Sequence, residues 1–330
     1  MICLWTNNPE IQKALALIEE EIKKNTRTKN KALNDIVTGL FSAGGKRLRP
    51  AFVVLASKFG KSQTPKTRRK VVSIASAIEI LHAATLVHDD IVDKSDIRRG
   101  KTTINKAHGN SIALYIGDLL YTKSVLTLSR DIPVDRLETI AKAIKTLCEG
   151  EIDQFLDRRN LKVSVLSYLK SIARKTAGLF GAACSSGAYI AKCTYTDANN
   201  LTRFGINYGM AFQIRDDLND FQKNEHVTGK TFGKDITEGV ITLPFIFAIR
   251  EDKQIKVIFD NAFSESRKVT RPEMDEIVER VLRTDALNKT HAILDKYIAR
   301  GNVYASKLPN IKEKSLLIEM INSLNLGKIV

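Results

Sequence analysis

The chain is expected to be all-α, as one domain over residues 1–330, on three observations. Apolar residues recur at three- and four-residue steps through most of it, the pitch of helices with one buried face. Strand-like alternation is hard to find. Only seven prolines and eighteen glycines punctuate the 330 residues, and no Pro/Gly-rich linker divides them.

After a short N-terminal extension (1–9), helices are expected over 10–24 and 31–41, the second ending at "SAGGKRLRP" (42–50). The next spans 71–90, where Val71, Ile74, Ile78 and Leu81 form the apolar stripe, and stops before "KSDIRRGKTT". The same periodicity predicts helices over 111–129 and 134–156, parted by "SRDIPVD", then 164–191 and 197–221. A last one covers 273–300, after "SRKVTRPE". Residues 222–240 are the exception: long, basic, and carrying Gly229, Gly233 and Gly239. Long irregular segments in compact folds are often functional, so this one is expected to be a flap over the site.

With 43% hydrophobic residues the chain can bury a large core. Lys and Arg number 52 against 37 Asp and Glu, and the net charge of +15 favours anionic partners. The basic residues are spread out and lack interleaved aromatics, so no nucleic-acid partner is expected. Cys3, Cys148, Cys184 and Cys193 form no C-x-x-C pair and fit a reducing, cytoplasmic location. The start, "MICLWTNNPE", turns polar too early for a signal peptide. The apolar run 240–249 is too short to span a bilayer, so no transmembrane segment is expected.

Two stretches stand out. "LVHDDIVD" (86–93) and "IRDDLND" (214–220) both set Asp at i, i+1 and i+4 on apolar helix. Asp89 and Asp93 then share a face, with Asp90 turned about 100° away. Two carboxylates ~6 Å apart repel by roughly 3 kcal/mol at an effective dielectric near 20. A hard divalent cation between them removes the conflict, and oxygen-only ligands suit Mg²⁺. Asp216, Asp217 and Asp220 repeat the geometry. Separately, Gly44 and Gly45 allow close backbone approach to an anion, beside Lys46, Arg47 and Arg49.

With "GGKRLRP", "ILHAATLVHDD", "GD" (117–118), "GEIDQ", "KTAGLF", "GKTFGKD" and "EGVITLPF" in the same order, these clusters resemble the trans-isoprenyl diphosphate synthases. The resemblance runs from about residue 10 to beyond 300 and implies the isoprenoid-synthase helical bundle around a deep central cavity. It implies Mg²⁺, three ions per site, on Asp89, Asp93, Asp216 and Asp220. Lys46, Arg49, His82 and Arg99 would bind isopentenyl diphosphate. Arg98, Lys175, Thr176, Gln213, Lys230 and Lys234 would bind an allylic diphosphate primer. His88 is expected beside a metal ligand, Glu151 and Gln154 near the cavity, and Cys184 in small-residue packing.

The implied reaction is ionisation of the allylic diphosphate, condensation, and proton loss to the released diphosphate. Asp89, Asp93 and Asp216 act through metal, with Arg98, Lys175 and Lys230 stabilising the departing charge. Apolar walls keep water from the cation. Product length depends on the helix before Asp89. Ala84 and Thr85 are small where farnesyl-type members carry an aromatic floor, and Leu81, Ile80 and Ala77 follow. A product longer than farnesyl, heptaprenyl to nonaprenyl, is therefore expected, and Ala84→Phe is expected to shorten it. The alternatives are a geranylgeranyl synthase, with a floor from Tyr115, Leu119 or Tyr121, or a subunit of a heteromeric enzyme. A homodimer, with possible peripheral proximity to anionic membranes, completes the expectations.

Overall fold

A computed structural model of the chain describes residues 5, 8–221, 233–264 and 269–325. Short-range caps set many of its helix starts. Asn30 accepts a hydrogen bond from the Leu33 amide to open α2 (Lys31–Ser42), which follows α1 (Pro9–Thr26). Thr64 caps the Thr67 amide and Pro65 occupies the first turn, so α4 (Pro65–Val92) starts well before its apolar stripe. Ser164 and Thr194 cap α8 (Val165–Ile172) and α10 (Tyr195–Asn219) in the same way. Thr270 and Glu273 form a capping box at α14 (Arg271–Arg283).

The helix expected over 134–156 is α7 (Val134–Leu156), and that over 111–129 is α6 (Asn110–Asp131). Three expectations need revision. The stretch 164–191 is broken by a π-helical turn, Ala173–Ala177, before α9 (Gly178–Ile190). The last helix is two, α14 and α15 (Ala286–Ser306), parted at Thr284. And α3 (Leu48–Ser57) was hidden in the glycine break: nearly every residue in it is buried, so it has no polar face to give a helical period.

The remaining elements are a short hairpin, β1 (Ile97–Arg98) and β2 (Lys101–Thr102), α5 (Ile104–His108), α11 (Lys234–Glu238), α12 (Leu243–Glu251), α13 (Lys253–Ser264) and α16 (Lys312–Asn322). Two long helices organise the bundle. α4 packs against α1, α3, α6 and α9, while α10 packs against α3, α9, α15 and the π turn. Glycines let these backbones touch: a Cβ on Gly187 would lie 2.1 Å from the Val53 carbonyl oxygen. Cys184 is buried in the same small-residue seam, and burial pushes its thiol up.

By length and composition α4 would pass for a membrane span, yet it is largely enclosed by its neighbours. The extension 1–9 is also partly structural. Trp5 is buried and its Nε1 donates to the Lys46 carbonyl at 3.3 Å, tying the N-terminal segment to the basic turn.

Candidate active site

At ~100° per residue, α4 presents three faces near its C-terminal end. Ile78, His82, Thr85, Asp89 and Asp93 share one. Glu79, Ala83, Leu86 and Asp90 share a second, which lines a cavity of about 510 Å³ together with α2, the hairpin and α5. Ala77, Ala84 and His88 share the third, turned toward α6. Ser124 on α6 donates to the Ala77 carbonyl at 2.8 Å, and His88 Nε2 lies 3.3 Å from Asp118. A Cβ on Gly117 would meet the His88 ring at 2.2 Å. His88 is thus a contact between α4 and α6, and Ala84, fully buried, lies on the same side.

The middle acid of each cluster has a separate task. Asp90 is buried and accepts from Arg98 Nε at 2.7 Å, anchoring the hairpin. Asp217 is buried and accepts from the Tyr168 hydroxyl and, at 2.9 Å, from Gln213 Nε2. Burial pushes the Asp217 carboxyl up to about 7 against those two hydrogen bonds, with Asp216 and Asp220 adding to the rise. Asp89, Asp93, Asp216 and Asp220 are left at the site, each pair one turn apart.

Basic partners meet the first pair. Lys175 Nζ lies 3.7 Å from Asp89 Oδ2 and 2.6 Å from Glu151, and donates to Gln154 at 2.7 Å. The π turn makes this possible by swinging Lys175 and Thr176 out of α-helical register, a common device at functional sites. Burial works against charge on Lys175, but Asp89 and Glu151 outweigh it and raise its pKa. Burial raises the Asp89 carboxyl, with Lys175 opposing and Asp93 adding. Burial and then Asp89 push Glu151 up to about 7. Asp93 is held by Arg158, from the residues just past α7. Sequence reasoning missed Arg158; its signal was a cation four residues after the end of "GEIDQ".

Thr176 donates to Gln213 at 2.9 Å, and Gln213 reaches Asp217 on α10. A chain of contacts through Lys175, Thr176 and Gln213 thus links Asp89 of the first cluster to Asp217 of the second. Asp220 caps α10 and accepts from the Asp235 amide at 3.3 Å, which ties the second cluster to α11. Lys234 opens α11, but its side chain, like Lys230 and the expected flap as far as 232, lies outside the described residues.

The basic turn is built from within. Gly44 and Gly45 have φ of 79° and 150°, and Arg47 is left-handed at 48°. Arg47 is buried, 2.8 Å from Glu79, and also bonded to Glu19 and the Phe41 carbonyl. That brace sets up Arg49, whose Nη1 lies 3.1 Å from His82 Nε2 and whose guanidinium stacks 4.5 Å over Phe180. Burial pulls Arg49 down to about 10 and takes His82 well below its usual range, with Arg49 adding to the effect. Arg99 donates to the Gly44 carbonyl from a hairpin turn in which it and Gly100 are both left-handed. Arg98 and Arg99 thus diverge, one to Asp90 and one to the basic turn. Lys46 is half-buried beside them.

Leu81 is buried and Thr85 half-buried, both on the side of α4 between the Asp89 face and α6. Of the floor candidates on α6, Tyr115 is 68% exposed and so does not close a tunnel inside this chain, while Tyr121 is half-buried beside Cys148.

The sequence matches the polyprenyl synthetase family over residues 30–281. The chain belongs to that family. Heptaprenyl diphosphate synthase component 2 of Geobacillus stearothermophilus is 34% identical over 95% of both chains. The crystal structure of heptaprenyl diphosphate synthase from Staphylococcus aureus superposes with a TM-score of 0.89 at 32% identity, covering 96% of this chain and 98% of that one. A polyprenyl synthase from Caulobacter crescentus, complexed with calcium and isoprenyl diphosphate, gives 0.87 at 28% identity, over 97% and 96%. The enzyme is accordingly a trans-prenyltransferase of polyprenyl synthesis, with the isoprenoid-synthase helical fold.

The donor set fits a divalent metal of the kind this family uses. It offers oxygen only, and burial with the neighbouring Asp93 raises the Asp89 carboxyl even with Lys175 opposing, so the pair lacks a full counter-charge. Among the described residues no three acids or histidines already converge as a cage.

Proposed function

We propose that the enzyme condenses isopentenyl diphosphate with an allylic diphosphate primer, with Mg²⁺, to an all-trans polyprenyl diphosphate of heptaprenyl to nonaprenyl length. The observation that carries this reading is the chain of contacts through Lys175, Thr176 and Gln213 that links the two acid clusters, with the Arg49–His82 pair on the same face of α4 as Asp89. Asp89, Asp93, Asp216 and Asp220 would hold the metal, which when bound neutralises charge on the departing diphosphate. Lys175 and Arg98 add positive charge on the allylic side, and Thr176 and Gln213 orient it. Lys46, Arg49, His82 and Arg99 hold isopentenyl diphosphate. His82, kept neutral by burial, serves as a hydrogen-bonding group rather than a charge. The cation then meets the double bond within apolar walls that exclude water.

Ile112, Leu114, Tyr115 and Leu126 on α6, with Phe155 and Leu156 on α7, are exposed, which supports a homodimer through these helices. The relative named as a component 2 favours a second reading, in which a different chain is required. A cytoplasmic location, with peripheral approach to anionic membranes, completes the proposal. Incubation of the purified chain with labelled isopentenyl diphosphate, farnesyl diphosphate and Mg²⁺ tests it. Products of seven to nine units support it; no product, or one of four units or fewer, overturns the length or the self-sufficiency of the chain.

A further inference from the structure

Among the described residues, Arg158 makes a strong contact to the first acid cluster that the reading above leaves without a role. It follows the C-terminal end of α7, where its amide donates to the Phe155 carbonyl at 3.3 Å and its guanidinium lies 5.2 Å over the Phe155 ring. The next residue pins the backbone. Arg159 is left-handed at φ 62°, donates to the Gly239 carbonyl at 2.8 Å, and stacks 4.3 Å over Phe263. The backbone is thus fixed on both sides of the Arg158 side chain.

That side chain gives one Nη to Asp93, while its buried Nε has no hydrogen-bond partner among the described residues. A guanidinium fork matches a carboxylate or a diphosphate bidentately, so this contact uses only part of what the group offers. The arrangement parallels Lys175 on Asp89: each carboxylate of the pair carries one cation from the α7–π turn side. A divalent ion on Asp89 and Asp93 competes with both, and the nearest anion left for the displaced side chains is the diphosphate that arrives with the metal.

We propose that Arg158 is a further contact for the allylic diphosphate, parked on Asp93 until metal takes that carboxylate. The inference rests on the reading of Asp93 as a metal ligand. The bland alternative is a fixed ion pair joining α4 to α7, which would leave ligand affinity unmoved.

The test uses the full chain, Mn²⁺ as the ion, and an allylic thiodiphosphate that does not ionise. In R158M the affinity for the thiodiphosphate with Mn²⁺, read by calorimetry, should fall about tenfold, the loss expected for one charge-assisted fork. The KM for the primer should rise in step and that for isopentenyl diphosphate should not. Mn²⁺ alone, followed by its free-ion spin resonance signal, should bind R158M at least as tightly as wild type. Thiodiphosphate affinity within about twofold of wild type overturns the inference. Should R158M fail to fold, R158K decides: a point charge cannot reproduce the fork, so about threefold weaker binding supports the contact and unchanged binding overturns it. Asp93→Asn separates the premise. It should weaken Mn²⁺ binding, and if it does not, the metal-ligand reading falls and this inference with it.

Discussion

Replacing Thr85 by Phe should place a floor in the product tunnel. Thr85 is half-buried, four residues before Asp89 on nearly the same face of α4, so it lies ~6 Å below the carboxylate level. An isoprene unit adds four carbon–carbon bonds, about 5 Å of extended chain. A phenyl ring at that depth leaves room for roughly one unit, against ~36 Å of α4 between Asp89 and Pro65, enough for about seven. Products should fall well short of seven units, read by chromatography of the dephosphorylated prenols, while the melting temperature changes little. Ala84→Phe should behave differently. Ala84 is fully buried on the side of α4 facing α6, so the ring overpacks that seam and costs about 1–3 kcal/mol. A Thr85→Phe enzyme with full turnover and wild-type product length would refute the reasoning.

Three other outcomes follow from the same geometry. Glu79→Gln leaves the buried Arg47 with Glu19 as its remaining charge partner, and should lower stability by about 1–3 kcal/mol in thermal or urea unfolding. Gly45→Ala puts a methyl 2.5 Å from Arg99 Nη1 at a φ of 150°, so the KM for isopentenyl diphosphate should rise with that for the primer unchanged. Asp217 is raised from 3.8 to about 7, so the folded state holds a proton that the unfolded chain has lost. Its stabilising contribution is present below about pH 4 and is lost as pH rises toward 7, by an order of 4 kcal/mol in metal-free protein. Asp217→Asn should flatten that part of the stability–pH curve, measured by chemical unfolding in chelator.

Much of the site could be seen before any coordinates. The doubled Asp spacing, the glycines before Lys46 and Arg49, and the helical periodicity each state a local rule of backbone or charge, and local rules survive in a linear string. What periodicity could not show was α3, because a helix buried on all sides has no face to betray it, or the π turn, because an inserted residue within a helix leaves the apolar pattern nearly intact.

Tertiary structure decided which acid does what. Spacing alone turned Asp90 and Asp217 away from their neighbours, but only packing supplied Arg98 and Tyr168 to receive them, making each an anchor. Likewise His88 and Ala84 face α6 because Gly117 and Ser124 bring that helix close. Arg158 reaches Asp93 because α7 ends beside α4, 65 residues apart along the chain. Amino-acid order determined the helices and the charges they carry. Which charges meet was settled by how the helices cross, since an ion pair depends on distance in space and separation in sequence says nothing of it.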